Sequence, residues 1–219
     1  MKKAFTLAEV LITLGVIGIV AALTMPALIA NYQTKVTVTK LKKFYSVMSQ
    51  AFTQAELEYG DPTGWDLIDN NDPDGAKNMA EKFRPYLRVV SEEAEKVAED
   101  NGSYVFYLAD GSAARFAVRS ADCTSNRGSG RLQYGCGVVS FATKPENRQD
   151  GINHFSFSLV KDGIIPNGTP ESTGNVGFAT ASGCLGTTKA SCTAWVLQNE
   201  NMEYLKCDDL SWDGKTKCD

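Results

Sequence analysis

The sequence contains one histidine, His154, and lacks the short motifs that mark common enzyme sites. It has no Gly-x-Ser-x-Gly nucleophile elbow and no phosphate-binding loop, and one histidine alone cannot make a nucleophile triad. No internal repeat is evident either. We therefore expect a protein that is not an enzyme.

Positive charge is also in short supply. The chain has 22 Lys and Arg against 26 Asp and Glu, which gives a net charge of -4 and a pI of about 5.2. This balance argues against a broad surface for polyanions, so we expect no nucleic-acid partner. The 219 residues, 43% of them hydrophobic and 22% charged, suit one large folded domain or two small ones.

Cysteine is absent from the first 122 residues, and all six cysteines lie in the last hundred. A zinc site is one alternative, but the sequence has no CxxC and only one histidine, which disfavours it. An even number of cysteines in an exported segment favours disulfides. Sequence alone does not choose among the pairings. Our preference is for neighbours: Cys123 with Cys136, Cys184 with Cys192, and Cys207 with Cys218.

Charge is missing from Val10 to Ala30, a run of 21 residues. At the rise of an α-helix this run spans roughly 30 Å, the thickness of a bilayer core. Lys2 and Lys3 precede it, which predicts a cytoplasmic N-terminus and an exported remainder. Within this N-terminal region Glu9 is the exception, because a carboxylate inside a membrane span is costly and by default suggests function.

Three interpretations of this segment remain open. A secretory signal peptide would be cut near residues 20–22, and a plain membrane anchor would stay uncut, but neither explains Glu9. In the third, a cut between Ala4 and Phe5 gives Phe5 a new α-amino group one helical turn from Glu9. Staggered copies of the segment would then pair the carboxylate of one with the amine of the next, because a charge in a low dielectric is tolerated when paired.

The stretch KKAFTLAEVLITLGVIGIVAALTMPALI resembles the N-terminal prepilin motif of type IV pilins and type II secretion pseudopilins. The matching residues are Phe5, Thr6, Leu7, Glu9, Leu11, Gly18 and Pro26. Two positions depart from the motif: Ala4 stands before the cut where glycine is usual, and Ala8 replaces a larger aliphatic residue. The tail after Cys192 resembles the C-terminal region of some pilin-like proteins less specifically.

The resemblance implies a leader of residues 1–4 that a prepilin peptidase removes, with N-methylation of Phe5 and a docking role for Glu9. Residues 5–30 would form the transmembrane and assembly helix, and residues 31–219 the exported head. In a fibre this helix would be partly unwound near Pro26, and a simple kink at the proline is the alternative. The resemblance places the chain in the inner membrane as a single-pass protein before assembly, surrounded by lipid. The later partners would be an inner-membrane assembly machinery and copies of itself or related pilins in a periplasmic or cell-surface fibre.

Helical periodicity continues beyond the membrane-length run. Apolar residues recur at spacings of three and four up to Gly60 and predict an amphipathic second half of one long helix. They are Leu41, Phe44 or Tyr45, Met48, Phe52, Ala55 and Tyr59. Residues 60–75 then predict a loop, and residues 76–89 a helix disturbed at Pro85, followed by a short helical piece over residues 91–99.

The pattern then changes to strands. Residues 103–109 and 112–120 flank Asp110-Gly111, a hairpin signature, and residues 154–160 alternate before the turn at Asp162-Gly163. Residues 136–143 and 193–197 are also strand-like. The chain is therefore predicted to be α+β, with a long N-terminal helix packed against a C-terminal antiparallel sheet in a pilin-like head.

No cofactor is expected, with one exception of low specificity. Asn70, Asp72, Asp74 and Glu81 follow the spacing of a calcium loop, in which alternate residues supply oxygen ligands. The alternative is an acidic loop in which Asp74 caps the next helix.

Other polar and aromatic residues carry weaker suggestions. His154 is expected at the surface or the core edge. The loop from Arg127 to Arg131 could touch an anion but is expected to be solvated. Four aromatic residues are expected to pack in the head: Tyr134, Trp195, Tyr204 and Trp212.

These observations predict a structural subunit of a type IV pilus-like or type II secretion pseudopilus fibre. The sequence does not separate a major pilin from a minor pilin or a pseudopilin. The alternative is a membrane-anchored extracytoplasmic binding or adhesion protein, with DNA uptake a less favoured role.

Overall fold

The structure is a computed structural model that describes residues 6–69, 72–96, 102–181 and 183–218. It divides into two compact units, Met1–Val36 and Thr37–Asp219, and we call the second unit the head. Helix α1, Leu7–Tyr59, runs through both. It ends at the predicted residue: Gly60 follows with a left-handed φ of 76°, and its N–H donates to the Glu56 carbonyl at 2.9 Å.

The second part of α1 buries the predicted apolar stripe. Leu41, Phe44, Met48, Phe52 and Ala55 are all buried in the core of the head. Tyr59, by contrast, is 38% exposed, so the buried stripe ends one turn before the helix does.

Helix α2, Pro73–Phe83, begins earlier and ends earlier than predicted, and a 3-10 turn, Arg84–Tyr86, follows it. The backbone N–H of Asp74 donates to the Asp72 side chain at 2.8 Å. Asp72 is therefore the N-cap, and the prediction that Asp74 caps this helix is wrong. Pro73 at the first helical position explains the start, because its missing N–H would be unpaired there in any case.

The head contains one six-stranded antiparallel sheet, whose strands lie in chain order. This confirms the α+β class. Both hairpins predicted from Asp-Gly are present, one between β2 and β3 and one between β5 and β6. The strands are β1 Val89–Lys96, β2 Gly102–Leu108, β3 Ala113–Val118, β4 Gly135–Ala142, β5 His154–Val160 and β6 Gly163–Pro166.

The helix predicted over residues 91–99 is wrong for the part that the structure describes, because β1 occupies it. The strand pairs with β2 from Val89 opposite Leu108 to Lys96 opposite Gly102. Glutamates give the segment helical propensity, but pairing at the sheet edge overrides it. Charges on an edge strand also discourage pairing with a foreign strand.

The strand predicted at residues 193–197 is wrong as well, because this segment is helix α3, Thr193–Asn199. Thr193, Trp195 and Val196 are each fully buried, so the run of apolar residues reflects burial on several sides rather than a strand face. The Thr193 hydroxyl accepts a hydrogen bond from the Ser156 N–H at 3.0 Å and anchors the helix to β5.

The core lies between the sheet and the two longer helices. The ring of Phe44 on α1 stacks on Phe141 of β4, with centroids 4.3 Å apart. Trp65 sits between Phe52 and Phe83, with its centroid 5.8 Å from each. These aromatic contacts join α1, α2 and the sheet into one packed layer pair.

All six cysteines form disulfides, and each joins neighbours in sequence: Cys123–Cys136, Cys184–Cys192 and Cys207–Cys218. This is the pairing that we preferred. With all six cysteines paired, this structure leaves no free thiolate for the zinc alternative.

Candidate assembly segment

Residues 7–30 of α1, which we call the apolar segment, expose their hydrophobic side chains all round. Every large apolar side chain from Leu7 to Ile29 is exposed, with fractions from 46% at Val10 to 79% at Leu7. Within the part of the chain that the structure describes, α1 is the one helix long and apolar enough to cross a membrane. A helix that is apolar on every side requires lipid or other helices around it.

Glu9 closes a capping box at the start of this segment. The Thr6 backbone N–H and hydroxyl donate to Glu9 Oε2 at 2.8 and 2.9 Å, and the Glu9 N–H donates to Thr6 Oγ1 at 3.3 Å. These reciprocal bonds satisfy donors that the first turn of any helix leaves free. Sequence reasoning missed this role, although the spacing Thr-x-x-Glu signals it.

The capping box does not use the whole carboxylate. Both hydrogen bonds from Thr6 end on Oε2, and Oε1 accepts none from the described residues. An ionised carboxylate has acceptor sites on both oxygens. Glu9 can therefore cap its own helix and still offer an oxygen to a cation from outside the chain.

Gly15 and Gly18 lie on the exposed surface of the apolar segment, and a Cβ added at either position would meet nothing within 4 Å. Such bare backbone lets a neighbouring helix approach closely. Pro26 lies within α1, and the helix continues through it. The local unwinding that the resemblance implies concerns an assembled fibre and stays a prediction. The predicted processing residues Ala4 and Phe5 lie outside the described residues.

The calcium candidate is only partly described, because Asn70 lies outside the described residues. The Asp72 side chain is engaged as the cap of α2, and Asp74 and Glu81 belong to that helix. Among the described residues, no cluster of three or more His, Cys, Asp or Glu side chains is placed to hold a metal ion.

The outer face of the sheet, turned away from α1, carries a charged network. Arg148 donates to the Glu95 carboxylate at 2.6 Å, and Arg115 pairs with the same group at 2.9 Å. The hydrogen bond from Arg148 is the main cause that lowers the pKa of Glu95, and Arg115 adds to it against the opposing effect of burial. His154 lies at the edge of this network with Asp150 2.5 Å from its Nδ1, in the predicted core-edge position. The cavity here is about 60 Å³, room for about one or two waters.

The remaining candidate residues have mainly structural roles. Arg131 pairs with Asp162 at 2.8 Å, while burial and the nearby Arg119 lower the pKa of Arg127 to about 10. Trp195 and Tyr204 are buried, which confirms their predicted packing in the head. Tyr134 was wrongly assigned to that packing, because it is 56% exposed.

Comparison with known proteins adds a family but no activity. A family model described as a family of unknown function (DUF6613) matches residues 27–206. Because this match spans most of the chain, the chain belongs to that family. The match leaves out Glu9 and nearly all of the apolar segment. No curated protein and no solved structure matches the chain.

Proposed function

We propose that this member of a family of unknown function is a structural subunit of a pilus-like or pseudopilus fibre. A prepilin peptidase would cut it between Ala4 and Phe5, and the apolar segment would pass from the inner membrane into the centre of a fibre. In that packing, Glu9 Oε1 of one copy would accept from the Phe5 amine of a neighbour. The fibre would lie in the periplasm or at the cell surface.

The observation that carries this proposal is the unused Glu9 oxygen at the start of a helix that is apolar on all sides. The exposed apolar area favours association with lipid or with other helices, but it does not fix how far one helix is shifted along another. A charge pair in a low dielectric would fix that shift, because an unpaired carboxylate there is costly.

The test of processing is the intact mass and N-terminal sequence of the chain from its native membrane or from sheared fibres. We expect a chain that starts at methylated Phe5. A chain that starts at Leu23 would mean a secreted protein. A chain that starts at Met1 would favour the alternative, a membrane-anchored binding or adhesion protein.

The test of assembly separates the charge of Glu9 from its capping role. Glu9→Gln retains a side chain that can complete a capping box but removes the charge. We expect normal membrane insertion and at least a tenfold loss of fibres, measured by shearing and immunoblotting. The matched control is Thr6→Val, which removes the capping hydroxyl and keeps the carboxylate, and it should retain most fibres. Normal fibres from Glu9→Gln would refute the charge pairing.

A further inference from the structure

The head has an open groove of about 450 Å³ beside α1 and the turn between β2 and β3. Its floor is largely apolar and is contributed by α1, the segment before β1, and strands β2 and β4. The floor residues are Phe44, Val47, Leu87, Leu108 and Phe141. A concave apolar surface of this size suits an apolar side chain from a partner better than it suits water.

The rim of the groove is cationic. Lys40, Lys43 and Arg88 lie on it with one acid, Asp110. Neither Lys43 nor Arg88 forms an ion pair with a residue that the structure describes. Lys40 donates to the Asp110 backbone carbonyl at 3.4 Å. The rim therefore carries excess positive charge in a chain whose net charge is -4.

Asp110 offsets only one of the three positive charges on the rim, and its carboxylate is also hydrogen-bonded within its own turn. It accepts hydrogen bonds from the Ser112 N–H at 3.1 Å and from the Ser112 hydroxyl. Burial tends to raise the pKa of Asp110, but the bonds from Ser112 and the positive field of Lys40 and Lys43 outweigh it and lower that pKa.

The last turn of α1 carries the complementary surface. Leu57 is 77% exposed, the most exposed large apolar side chain of the described head, and it stands between two exposed glutamates, Glu56 and Glu58. Glu56 has no ion pair among the described residues, and Glu58 interacts with its neighbour Tyr59. We call residues 56–58 the acidic tip.

We propose that the groove of one copy receives the acidic tip of a second copy. Leu57 would rest on the apolar floor, and the two glutamates would meet Lys43 and Arg88 on the rim. Charge complementarity selects this occupant, because the tip presents an apolar side chain with an acid on each side. The proposal rests on the proposed function in one respect: it requires two copies that stand side by side with their α1 helices parallel.

The spacing on α1 sets the shift between the two copies. Lys43 and Leu57 are fourteen residues apart on one helix, about 21 Å along its axis and about 40° apart around it. A parallel neighbour that is displaced by that distance and turned to face the groove brings its acidic tip level with it. This is a different neighbour from the one whose Phe5 meets Glu9, because that pair sets a shift of only about 6 Å. Groove and tip are different surfaces, so the contact is heterologous and each copy can continue the array.

The experiment uses the full chain, made in light and in ¹⁵N-labelled form and mixed in detergent, where no bilayer holds the two copies at the same level. A carbodiimide then joins amines directly to carboxylates in contact, and mass spectrometry identifies peptides that contain one light and one heavy partner. We expect mixed peptides that link Lys40 or Lys43 to Glu56 or Glu58. Co-purification of two differently tagged copies measures association separately.

Charge reversals test whether the cross-links come from this contact. Lys43→Glu and Glu56→Lys each change an exposed residue and should lower the mixed peptides at least fivefold. The double variant should restore them, because it exchanges the amine and the carboxylate between the same two positions. Lys144→Glu reverses an exposed charge elsewhere on the head and should change nothing.

The outcomes separate this contact from the proposed function. Mixed peptides at these residues with rescue by the double variant support the contact, even if the mature chain starts at Met1 and forms no fibres. Copies that associate without these peptides overturn the contact and leave the fibre standing. Chains that neither associate nor cross-link overturn the contact, whereas the fibre is decided by the N-terminus of the mature chain and by the Glu9→Gln variant.

Discussion

The two parts of helix α1 place similar apolar side chains in opposite environments. Residues 7–30 expose every large apolar side chain, whereas beyond Thr37 the helix buries Leu41, Phe44, Met48 and Phe52 against the sheet. The difference lies in the arrangement of the apolar residues. The first part has them on all sides and the second has one stripe, with lysines and polar residues on the remaining surface.

This contrast assigns separate roles to the two parts. The stripe is buried within one chain, so its burial contributes to the free energy of unfolding of the head. The apolar segment has no described partner in its own chain, so only lipid or other chains can bury its apolar surface. Truncations on each side of this division should therefore affect different measurements.

The largest expected effect comes from truncating the stripe. Phe44→Ala removes a ring that stacks on Phe141, and we expect a loss of about 3 to 5 kcal/mol in the free energy of unfolding. Leu11→Ala, the matched change in the apolar segment, should cost less than about 0.5 kcal/mol because Leu11 is exposed.

The measurement is denaturant unfolding of the full chain in detergent, monitored by tryptophan fluorescence. All three tryptophans, Trp65, Trp195 and Trp212, belong to the head, so the signal reports the head alone. Equal losses from the two truncations would contradict the division.

A smaller effect should follow from opening a disulfide of the head. The double variant Cys184→Ala, Cys192→Ala releases a loop with a sequence separation of 8, and we expect a loss of about 2 to 4 kcal/mol. The same fluorescence assay measures it, and membrane insertion of the apolar segment should not change. A loss below about 1 kcal/mol would show that packing around Trp195 holds this loop without the bond.

The smallest effect, which depends on pH, concerns the outer face of the sheet. Glu95→Gln should cost about 1 to 2 kcal/mol at pH 7, because it breaks the charged bonds to Arg148 and Arg115. Glu92→Gln is the control, because the Glu92 pair with Arg84 is more exposed and is worth about 0 to 1 kcal/mol.

The sign of the pH dependence follows from the lowered pKa of Glu95. The folded state holds the proton less tightly than the unfolded state, whose pKa is near the ordinary value of 4.5. The contribution is therefore present above that pH and is lost as the pH falls from there through the lower folded pKa. The difference between wild type and Glu95→Gln should shrink over this window, and a difference that grows would contradict the assignment.

The parts of the fold that depend on local signals were predictable. The end of α1 at Gly60 and the Asp-Gly turns of both hairpins follow from backbone preferences of a few residues. The stripe followed from periodicity, except at Tyr59, where the ring meets Lys82 at 4.4 Å and stays partly exposed.

The errors occurred where contacts distant in sequence decide. Strand β1 is rich in glutamate, and only its pairing with β2 and its contacts to Arg84 and Tyr107 make it a strand. The helix at Thr193 contains β-branched and aromatic residues because it is buried on several sides. For the candidate site, the motif identified Glu9, but the argument from its charge did not predict its capping hydrogen bond with Thr6.

If the head is exported, as the proposed function requires, the chain order of its six strands bears on how it folds. Each described strand pairs only with strands next to it in sequence, so in an exported chain its first partner would cross the membrane just before it. Because this pairing is local in sequence, no strand depends on a distant segment for its first partner, and the low contact order favours rapid folding. We expect strand-by-strand protection from protease in translocation intermediates arrested at increasing lengths. A head that becomes resistant only when Thr193–Asn199 has crossed would show instead that the sheet waits for its last helix.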